Sequence, residues 1–536
     1  MPTNAGVLAG VLREAGVRRL FGHPGGEIVL FLDACRRVGI EFHLIAHEAS
    51  AAFMADVTGQ LTGVPGVCVS TVGPGATNLV TGVANAFLER SPVLAVTAQV
   101  STKLDPAYTH QRLDLNRLFA PITKWSVTLD GNGTEQIAAR AVALATAPRQ
   151  GPVHLALPSD LAGQAPRSAE PSLPMPPAPG APAAPRDDAV AAAAKVIARA
   201  QRPAIVVGVG ARPDRHAAAL RAFLETTGLP FFTTPKAKGM LPESDARFVG
   251  TASGMAGDDA VVRALGACDL LIAVGFDPVE CDKDWFVRSR VVSVDEVRVA
   301  EAGYRPEVEV VGDIARGLAA LGSRLARNHA WAGDEIARLR EDVAASVRPR
   351  SAPREGLSPH AVLGRLREAL PAEGIAVCDV GAHKLLIGQV WRTDQPGTFF
   401  MSNGLSSMGY GLPAAMAAKL AAPTRPVLCV TGDGGFLMVV HNLEFLVRSG
   451  LPVVTAVFSD RTLAAIKVSQ RRREMGPYGV DFGRPDYAAV ARSFGAAGIR
   501  VETLEDVAPA CREALGAGRP VVLDIPIDPA EYVDQI

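Results

Sequence analysis

Short, continuously apolar runs alternate along the chain with longer stretches in which apolar residues recur every three or four positions. Typical runs are "GVCVST" at 66–71, "PAIVVGVG" at 203–210 and "GIAVCDVG" at 374–381. Unbroken apolar strands that alternate with amphipathic helices are typical of parallel sheets covered by helices on both faces. The pattern therefore predicts an α/β fold built from doubly wound parallel sheets.

Two segments rich in Pro interrupt this alternation. Residues 166–188 are rich in Pro and Ala and are predicted to form an extended linker, and residues 341–358 are predicted to form a second, shorter one. The linkers separate three domains, 1–165, 189–340 and 359–536, each with its own parallel sheet. A chain of 536 residues is long enough for three cores at about 150 residues each.

Composition and charge narrow the class of protein. The net charge is −1, which favours neither nucleic acid nor an anionic membrane surface as a partner. The seven Cys are scattered without a CxxC pair, so we expect buried thiols in a reducing compartment, with no zinc site and no disulfide. The N-terminal segment lacks the features of a signal peptide, and no apolar run reaches the ~18–20 residues of a membrane span. These features predict a cytoplasmic protein.

The segment "TGDGG", residues 431–435, places an acid between glycines at the end of an apolar run. Gly432, Gly434 and Gly435 allow the backbone to approach a ligand closely, and a helix that begins here offers free N–H groups to an anion. Asp460 ends the next apolar run. Because parallel strands end at the same edge of a sheet, Asp433 and Asp460 suit Mg²⁺ beside a phosphate group. A tight turn into a helix is the alternative, and the second acid favours the metal.

The spacing of these two acids, and several longer segments, resemble the thiamine diphosphate-dependent enzymes of the acetolactate synthase family. The similar segments, in family order, are "FGHPGGEIVLFLDA", "AHEASAAFMAD", "STVGPGATNLVTGVANAFLERSPVLAVTA", "RQGPVHLALPSD" and "SNGLSSMGYGLPAAMAAKL". "THQRLD", "GFDPVE" and "YGVDFG" look most like the catabolic, FAD-independent members. The resemblance implies thiamine diphosphate and Mg²⁺ as cofactors, no FAD, and a homodimer or homotetramer in which two chains share each active site.

The resemblance also implies roles for individual residues. Metal ligands would be the side chains of Asp433 and Asp460 and the carbonyl of Thr462, and Met408 would hold the bent cofactor. The full set of implied cofactor-binding residues is Pro24, Gly25, Gly73, Asn78, Gly381, Ala382, His383, Ser406, Met408, Gly432, Asp433, Gly434, Gly435, Asp460, Thr462, Leu463, Ala464, Ala465 and Ile466.

Four residues are candidates for catalysis. Glu48 would bind the aminopyrimidine ring of the cofactor and set its tautomer, although a Glu at this place is, by itself, an ordinary residue of a helix start. Gln111 matches a polar active-site residue of the family. Glu27 is either a proton shuttle or a helix cap, and His110 is either catalytic or structural.

The implied reaction is decarboxylation of a 2-oxo acid, most simply pyruvate, followed by joining of the remaining fragment to a second carbonyl. With pyruvate in both positions the product is 2-acetolactate. Ala465 and Ser469 are smaller than their family counterparts, so a bulkier acceptor, or a simple decarboxylase, stays open. "VVGVGARP" at 206–213 would suit a nicotinamide-dependent oxidoreductase only weakly, because the third Gly is absent. A non-catalytic relative is disfavoured by the intact acids.

Overall fold

A computed structural model of the chain describes residues 2–104, 107–252, 254–281, 283, 285–299, 303–327 and 329–536. It contains three six-stranded sheets, and every strand pair recorded within them is parallel. Central strands are buried along their whole length, as the unbroken apolar runs predict. The predicted α/β fold with three parallel sheets is confirmed.

The first sheet has the strand order β2-β1-β3-β4-β6-β5. Its strands are β1 (Arg19–His23), β2 (Glu41–Leu44), β3 (Gly66–Ser70), β4 (Val93–Gln99), β5 (Trp125–Thr128) and β6 (Val153–Pro158). The helices around it are α1 (Asn4–Glu14), α2 (Val29–Arg37), α3 (Glu48–Thr62), α4 (Pro74–Leu88), α5 (Leu115–Phe119), α6 (Thr134–Thr146) and α7 (Ser159–Ala162). The order reverses between β1 and β3, where open sheets bind ligands.

The second sheet has the order β12-β11-β10-β7-β8-β9, which is the arrangement of dinucleotide-binding folds. Its strands are β7 (Pro203–Val207), β8 (Phe231–Thr233), β9 (Phe248–Thr251), β10 (Leu270–Val274), β11 (Val291–Asp295) and β12 (Val308–Val311). Its helices are α8 (Asp187–Arg199), α9 (Pro213–Thr227), α10 (Asp258–Gly266), α11 (Trp285–Arg288), α12 (Ile314–Gly322) and α13 (Gly333–Ser346).

The third sheet, β14-β13-β15-β16-β18-β17, repeats the topology of the first. Its strands are β13 (Ile375–Cys378), β14 (Phe399–Met401), β15 (Val427–Gly432), β16 (Val454–Ser459), β17 (Ala497–Arg500) and β18 (Val521–Pro526). Its helices are α14 (Pro359–Ala369), α15 (Ala382–Val390), α16 (Gly411–Ala421), α17 (Asp433–Val439), α18 (Asn442–Arg448), α19 (Ala464–Arg472), α20 (Tyr487–Ser493) and α21 (Leu504–Gly516). Its order reverses between β13 and β15.

The chain forms two compact units that do not follow the sequence domains. The first comprises residues 1–181, 405–423 and 439–449, and the second comprises 182–404, 424–438 and 450–536. Helices α16 and α18 thus belong to the first unit, although the sequence places them in the third domain. The reason is packing, because α16 is buried almost all round and the ring of Tyr410, just before it, meets Phe53 of α3 edge-on at 5.5 Å.

The second predicted linker is shorter in the structure than in the prediction. Helix α13 continues to Ser346, because Val343 on its last turns is buried in the core. The stretch 163–186, by contrast, contains no helix or strand beyond an isolated bridge at Ser168. Five of the seven Cys are buried, as predicted, and Cys268 and Cys281 are partly exposed. In the described parts of the chain, we find no helix with the length and apolarity needed to cross a membrane.

Candidate active site

The acid of the "TGDGG" segment is held between two loops of the third sheet. Strand β15 ends at Gly432 and α17 begins at Asp433, whose side chain is buried. Oδ1 of Asp433 accepts the backbone N–H of Gly434 at 2.8 Å, and Oδ2 accepts the backbone N–H of Arg461 at 2.7 Å. The structure therefore brings Asp433 beside the segment that follows β16, as the strand order requires.

Asp460 is the first residue of that segment, and it faces Asp433. The backbone N–H of Thr462 donates to Oδ1 of Asp460 at 3.1 Å. Burial raises the pKa of Asp433 to about 6, and burial together with the charge of Asp433 raises the pKa of Asp460 to about 7. Two acids with raised pKa values are stabilised as carboxylates by a bound cation, so this pair fits Mg²⁺. Among the described residues, no three His, Cys, Asp or Glu side chains form a metal-binding group, so this site offers two carboxylates.

His383 lines the same edge of the sheet from the first turn of α15. A Cβ atom at Gly381 would lie 2.8 Å from its ring, and one at Gly432 would lie 3.2 Å from it. Burial lowers the pKa of His383 to about 4, so the ring is neutral, and its Nε2 is buried without a hydrogen-bond partner among the described residues. A buried, unpaired imidazole nitrogen beside two glycines leaves space and an unsatisfied polar atom for a ligand at this edge.

Asp379 is a buried acid that the sequence reasoning missed. Its Oδ2 accepts a hydrogen bond of 3.0 Å from the Thr431 hydroxyl, and its Oδ1 accepts the N–H of Val380 at 2.7 Å. A Cβ atom at Gly435 would lie 2.4 Å from Oδ2 of Asp379, so this glycine is required by close packing. The signal was available in "AVCDVG", where an acid ends an apolar strand as Asp433 does.

The residues that follow Asp460 differ in how deeply they are buried. A Cβ atom at Gly434 would meet Phe482 and Leu463 at 3.1 and 3.2 Å. In α19, Ala464 is buried and Ala465 is half-buried against the core, whereas 51% of Ile466 is exposed. Of these three residues, Ile466 is therefore the most accessible to a ligand. Ala382, also predicted, is buried at the start of α15.

In the first unit, Glu48 begins α3 and is 6% exposed. The side-chain amide of Asn78 donates to Oε2 of Glu48 at 3.0 Å. A Cβ atom at Gly75 would lie 3.2 Å from Oε1 of the same carboxyl, so the turn at 73–78 closes tightly against it. The structure thus brings two of the predicted site residues, Glu48 and Asn78, into direct contact.

Glu27 follows β1, where the strand order of the first sheet reverses. The hydroxyl of Thr71, which follows β3, donates to Oε2 of Glu27 at 2.7 Å. A Cβ atom at Gly25 would lie 2.2 Å from the Thr71 hydroxyl oxygen, so this position admits only glycine, and Pro24 beside it is half-buried. Thr71 is a second residue that sequence reasoning missed, since nothing in "STVG" marks its partner 44 residues earlier.

The remaining predicted residues of the first unit are more accessible. The side-chain carbons of Gln111 approach Gly73, where a Cβ atom would lie 3.1 Å away. Gln111 and His110 are exposed, and Gln111 has a left-handed backbone with φ of 55°. Ser406 is also exposed and left-handed at φ of 53°, and Met408 is half-buried. His110 lies beside Gln111 in sequence, and no contact of its ring with another described residue supports a catalytic role.

Known protein families match a segment of this chain in each of the three sheets. Residues 3–118 match the thiamine pyrophosphate enzyme N-terminal TPP binding domain, residues 190–321 match the central domain, and residues 379–525 match the C-terminal TPP binding domain. The last of these ranges begins at Asp379 and contains Asp433 and Asp460.

Individual relatives match over almost the whole chain. An acetolactate synthase of Bacillus subtilis is 32% identical over 98% of this chain and 92% of its own length. A probable acetolactate synthase large subunit of Methanocaldococcus jannaschii is 33% identical over the same shares. A catabolic acetolactate synthase of Raoultella terrigena is 31% identical over 98% of this chain and 95% of its own. The chain belongs to the thiamine pyrophosphate enzymes, and within them to the acetolactate synthase family.

Proposed function

We propose that this chain is a thiamine diphosphate- and Mg²⁺-dependent carboligase. It decarboxylates a 2-oxo acid, most simply pyruvate, and joins the remaining two-carbon unit to a second carbonyl. The observation that carries this proposal is the buried carboxyl of Glu48, fixed by Asn78 at the ligand-binding edge of the first sheet. A buried acid with one oxygen already positioned is suited to exchanging a proton with a bound ring nitrogen.

The residues assigned to the cofactor would hold different parts of it. Glu48 would donate a proton to the aminopyrimidine ring, and Met408 would contact the cofactor between its rings. Asp433, Asp460 and the Thr462 carbonyl would bind Mg²⁺, and His383 would lie beside the diphosphate. When bound, thiamine diphosphate supplies the electron sink for decarboxylation. The raised pKa values of the two acids and the unpaired nitrogen of His383 support these assignments.

We further propose that the central domain carries no FAD, and the ligand edge of its sheet supports this. Gly210 and Gly275 lie at the carboxyl ends of β7 and β10, and Gly210 N–H donates to Gly275 O at 2.8 Å. The backbone N–H groups of Val209 and Lys236 donate to the buried carboxyl of Glu280 at 2.8 and 3.3 Å. A protein carboxyl group therefore occupies N–H groups that a cofactor phosphate would need.

The direct test is identification of the product. Purified protein incubated with thiamine diphosphate, Mg²⁺ and pyruvate should release one CO₂ for every two pyruvates and form a product with the mass of 2-acetolactate. The Glu48→Gln variant, assayed in parallel, controls for background reaction. Acetaldehyde as the main product would show a simple decarboxylase, and no pyruvate consumption would exclude pyruvate as the donor.

A second candidate is a carboligase with a bulkier acceptor. The small side chains of Ala465 and Ser469 lie four residues apart on α19, next to the exposed Ile466. Competition between pyruvate and larger aldehydes or 2-oxo acids, with kcat/KM measured for each acceptor, distinguishes the two. Preference for pyruvate by more than about tenfold, ~1.4 kcal/mol, favours the plain acetolactate synthase.

We also propose a homodimer or homotetramer that works in the cytoplasm. Val29 and Leu30 on α2 are about half exposed, which is typical of a surface covered by another subunit. The scattered Cys, without a CxxC pair, support a reducing compartment. Light scattering of the purified enzyme should give at least twice the 56.0 kDa of one chain, and a fully active monomer would contradict the assembly.

A further inference from the structure

A cleft of about 570 Å³ lies in the second unit, bordered by α13, α14 and the end of α15. Its volume falls in the range of roughly 300–1,000 Å³ that small-molecule sites occupy. The buried side chains of Val343 and Leu363 contribute apolar surface to it. It is separate from the residues assigned to the cofactor.

The polar lining of this cleft is strongly cationic. Glu368 is the single acid among the described residues that line it, and its carboxylate pairs with Arg365, outside the lining, at 3.1 Å. The basic residues of the lining are Arg340, Arg348, Arg367, Arg392 and His360. An enclosed surface with this excess of one sign attracts anions.

Two of these arginines form no close ion pair with a described carboxylate. Within the part of the chain that the structure describes, neither Arg340 nor Arg392 has an acidic group within 4.0 Å. Nη1 of Arg340 donates to the carbonyl of Ala246 at 2.9 Å. Burial, and then the charge of Arg392, lower the pKa of Arg340, although the more distant Asp245 acts in the opposite direction. The two cations therefore repel each other.

The other arginines are already bound to protein groups. Arg367 donates to the carbonyls of Leu370 and Arg392 at 2.8 and 3.0 Å and lies over the ring of Trp391. Arg348 pairs with Glu341 at 2.7 Å. These contacts fix the wall of the cleft, so Arg392 and the guanidinium N–H groups of Arg340 that do not bind Ala246 are the groups available to a ligand.

We propose that this cleft binds a small organic polyanion of the nucleoside diphosphate class. Its phosphates contact Arg340 and Arg392, whose planar guanidinium groups match phosphate oxygens in pairs. Its organic part lies on Val343 and Leu363, because a bare phosphate would leave most of the cleft unfilled. The ligand neutralises two cations that repel each other. Only an anion can relieve this repulsion.

The position of the cleft also connects it to the proposed cofactor site. Gln389 lines the cleft and accepts the N–H of Thr251 at 2.8 Å. It lies on the last turn of α15, whose first turn carries His383. A ligand in the cleft thus contacts the far end of a helix about 13 Å long, at 1.5 Å per residue. Any effect of this ligand on catalysis rests on the proposed function, whereas binding of the ligand in the cleft does not.

Calorimetric titration of the enzyme saturated with thiamine diphosphate and Mg²⁺ tests the proposal, with ADP and pyrophosphate as probes. We expect ADP to bind more tightly than pyrophosphate, and R340Q/R392Q to weaken ADP binding by at least ~10-fold. The matched control R338Q, which removes an exposed arginine of α13 outside the cleft lining, should bind ADP like the parent.

Three results would overturn the assignment. The first is no ADP binding at millimolar concentration, and the second is equal binding by R340Q/R392Q. The third is self-association of the enzyme that the double substitution abolishes, because the cleft would then take an acidic segment of a second copy. Pyrophosphate binding as tight as that of ADP would overturn the placement of the organic part on Val343 and Leu363.

Discussion

The side-chain amide of Asn78 donates a 3.0 Å hydrogen bond to Oε2 of Glu48 and so ties α4 to the first residue of α3. The carboxyl is buried, so this bond decides which oxygen is free to face a ligand. Burial makes the bond stronger than it would be in water. Glu48 is therefore held in one orientation before any cofactor binds.

Replacing Asn78 by Ala should misorient Glu48 without unfolding the protein. A hydrogen bond to a carboxylate contributes about 1.5–3 kcal/mol, so we expect kcat to fall by ~10–100-fold. Steady-state kinetics with the 2-oxo acid provide the measurement. Thr77→Ala is the matched control, because the Thr77 hydroxyl donates locally to Pro74 O and does not contact Glu48. Equal kcat in both variants would show that Asn78 does not position the acid.

Replacing Asp433 by Ala should abolish retention of Mg²⁺ and thiamine diphosphate. The site would lose one of two carboxylates, and the backbone N–H groups of Gly434 and Arg461 would lose their acceptor. Calorimetric titration with the cofactor, with and without Mg²⁺, measures the effect. Asp259→Ala removes an exposed acid of the central domain and should change neither affinity. If the Asp433 variant binds Mg²⁺ and thiamine diphosphate as tightly as the parent, Asp433 is not a metal ligand.

Gly435 should not tolerate a side chain. A Cβ atom there would lie 2.4 Å from Oδ2 of the buried Asp379, so Gly435→Ala forces an acid or a strand end to move. We expect a lower thermal midpoint and weaker cofactor binding. Gly10→Ala, in α1 with no atom within 4 Å of the new carbon, should instead stabilise the protein by about 0.5–1 kcal/mol. A Gly435 variant as stable as the parent would contradict the packing described for Asp379.

His154 should make the protein less stable in mild acid. It is fully buried between the hydroxyls of Thr97 and Ser126, and burial lowers its pKa to about 3. Below the unfolded pKa of about 6.5, the unfolded chain binds a proton that the folded chain does not bind, so stability falls as the pH falls towards 3. The loss approaches about 1.4 kcal/mol per pH unit.

Differential scanning calorimetry between pH 8 and pH 5 measures this effect. His154→Gln keeps a hydrogen-bonding side chain and should flatten the pH dependence of the unfolding midpoint, whatever its effect at pH 8. His110→Gln, at an exposed imidazole, should keep the slope of the parent. Identical slopes in the His154 variant and the parent would show that His154 is not neutral in the fold.

Much of the fold and part of the site were predictable from the sequence. Asp433 and Asp460 each follow an unbroken apolar run, and parallel strands must deliver such residues to one edge. The distribution of helices was not predictable, because α16 is apolar all round and such a pattern does not say which sheet covers it. Tertiary contact, not local pattern, places α16 and α18 with the first sheet.

The residues that sequence reasoning missed share one property. Thr71 and Asp379 act on groups that are distant in sequence, Glu27 and Gly435, so no local motif marks them. Glu280 was visible in "GFDPVE", but its contact with the N–H of Val209 depends on two strands being adjacent in the sheet. The spacing of apolar runs identifies the residues at the ends of strands. It does not identify the distant residues that contact them.

The most direct test of the account is hydrogen exchange at C2 of the bound thiazolium ring in Glu48→Gln, followed by NMR in deuterated buffer. An amide cannot donate the proton that Glu48 is proposed to give the aminopyrimidine, so exchange should slow by about 10²–10⁴-fold while cofactor affinity stays near that of the parent. Glu41→Gln, an exposed position on β2, should exchange at the parental rate. Exchange at the parental rate in the Glu48 variant would contradict the central claim that this acid activates the cofactor.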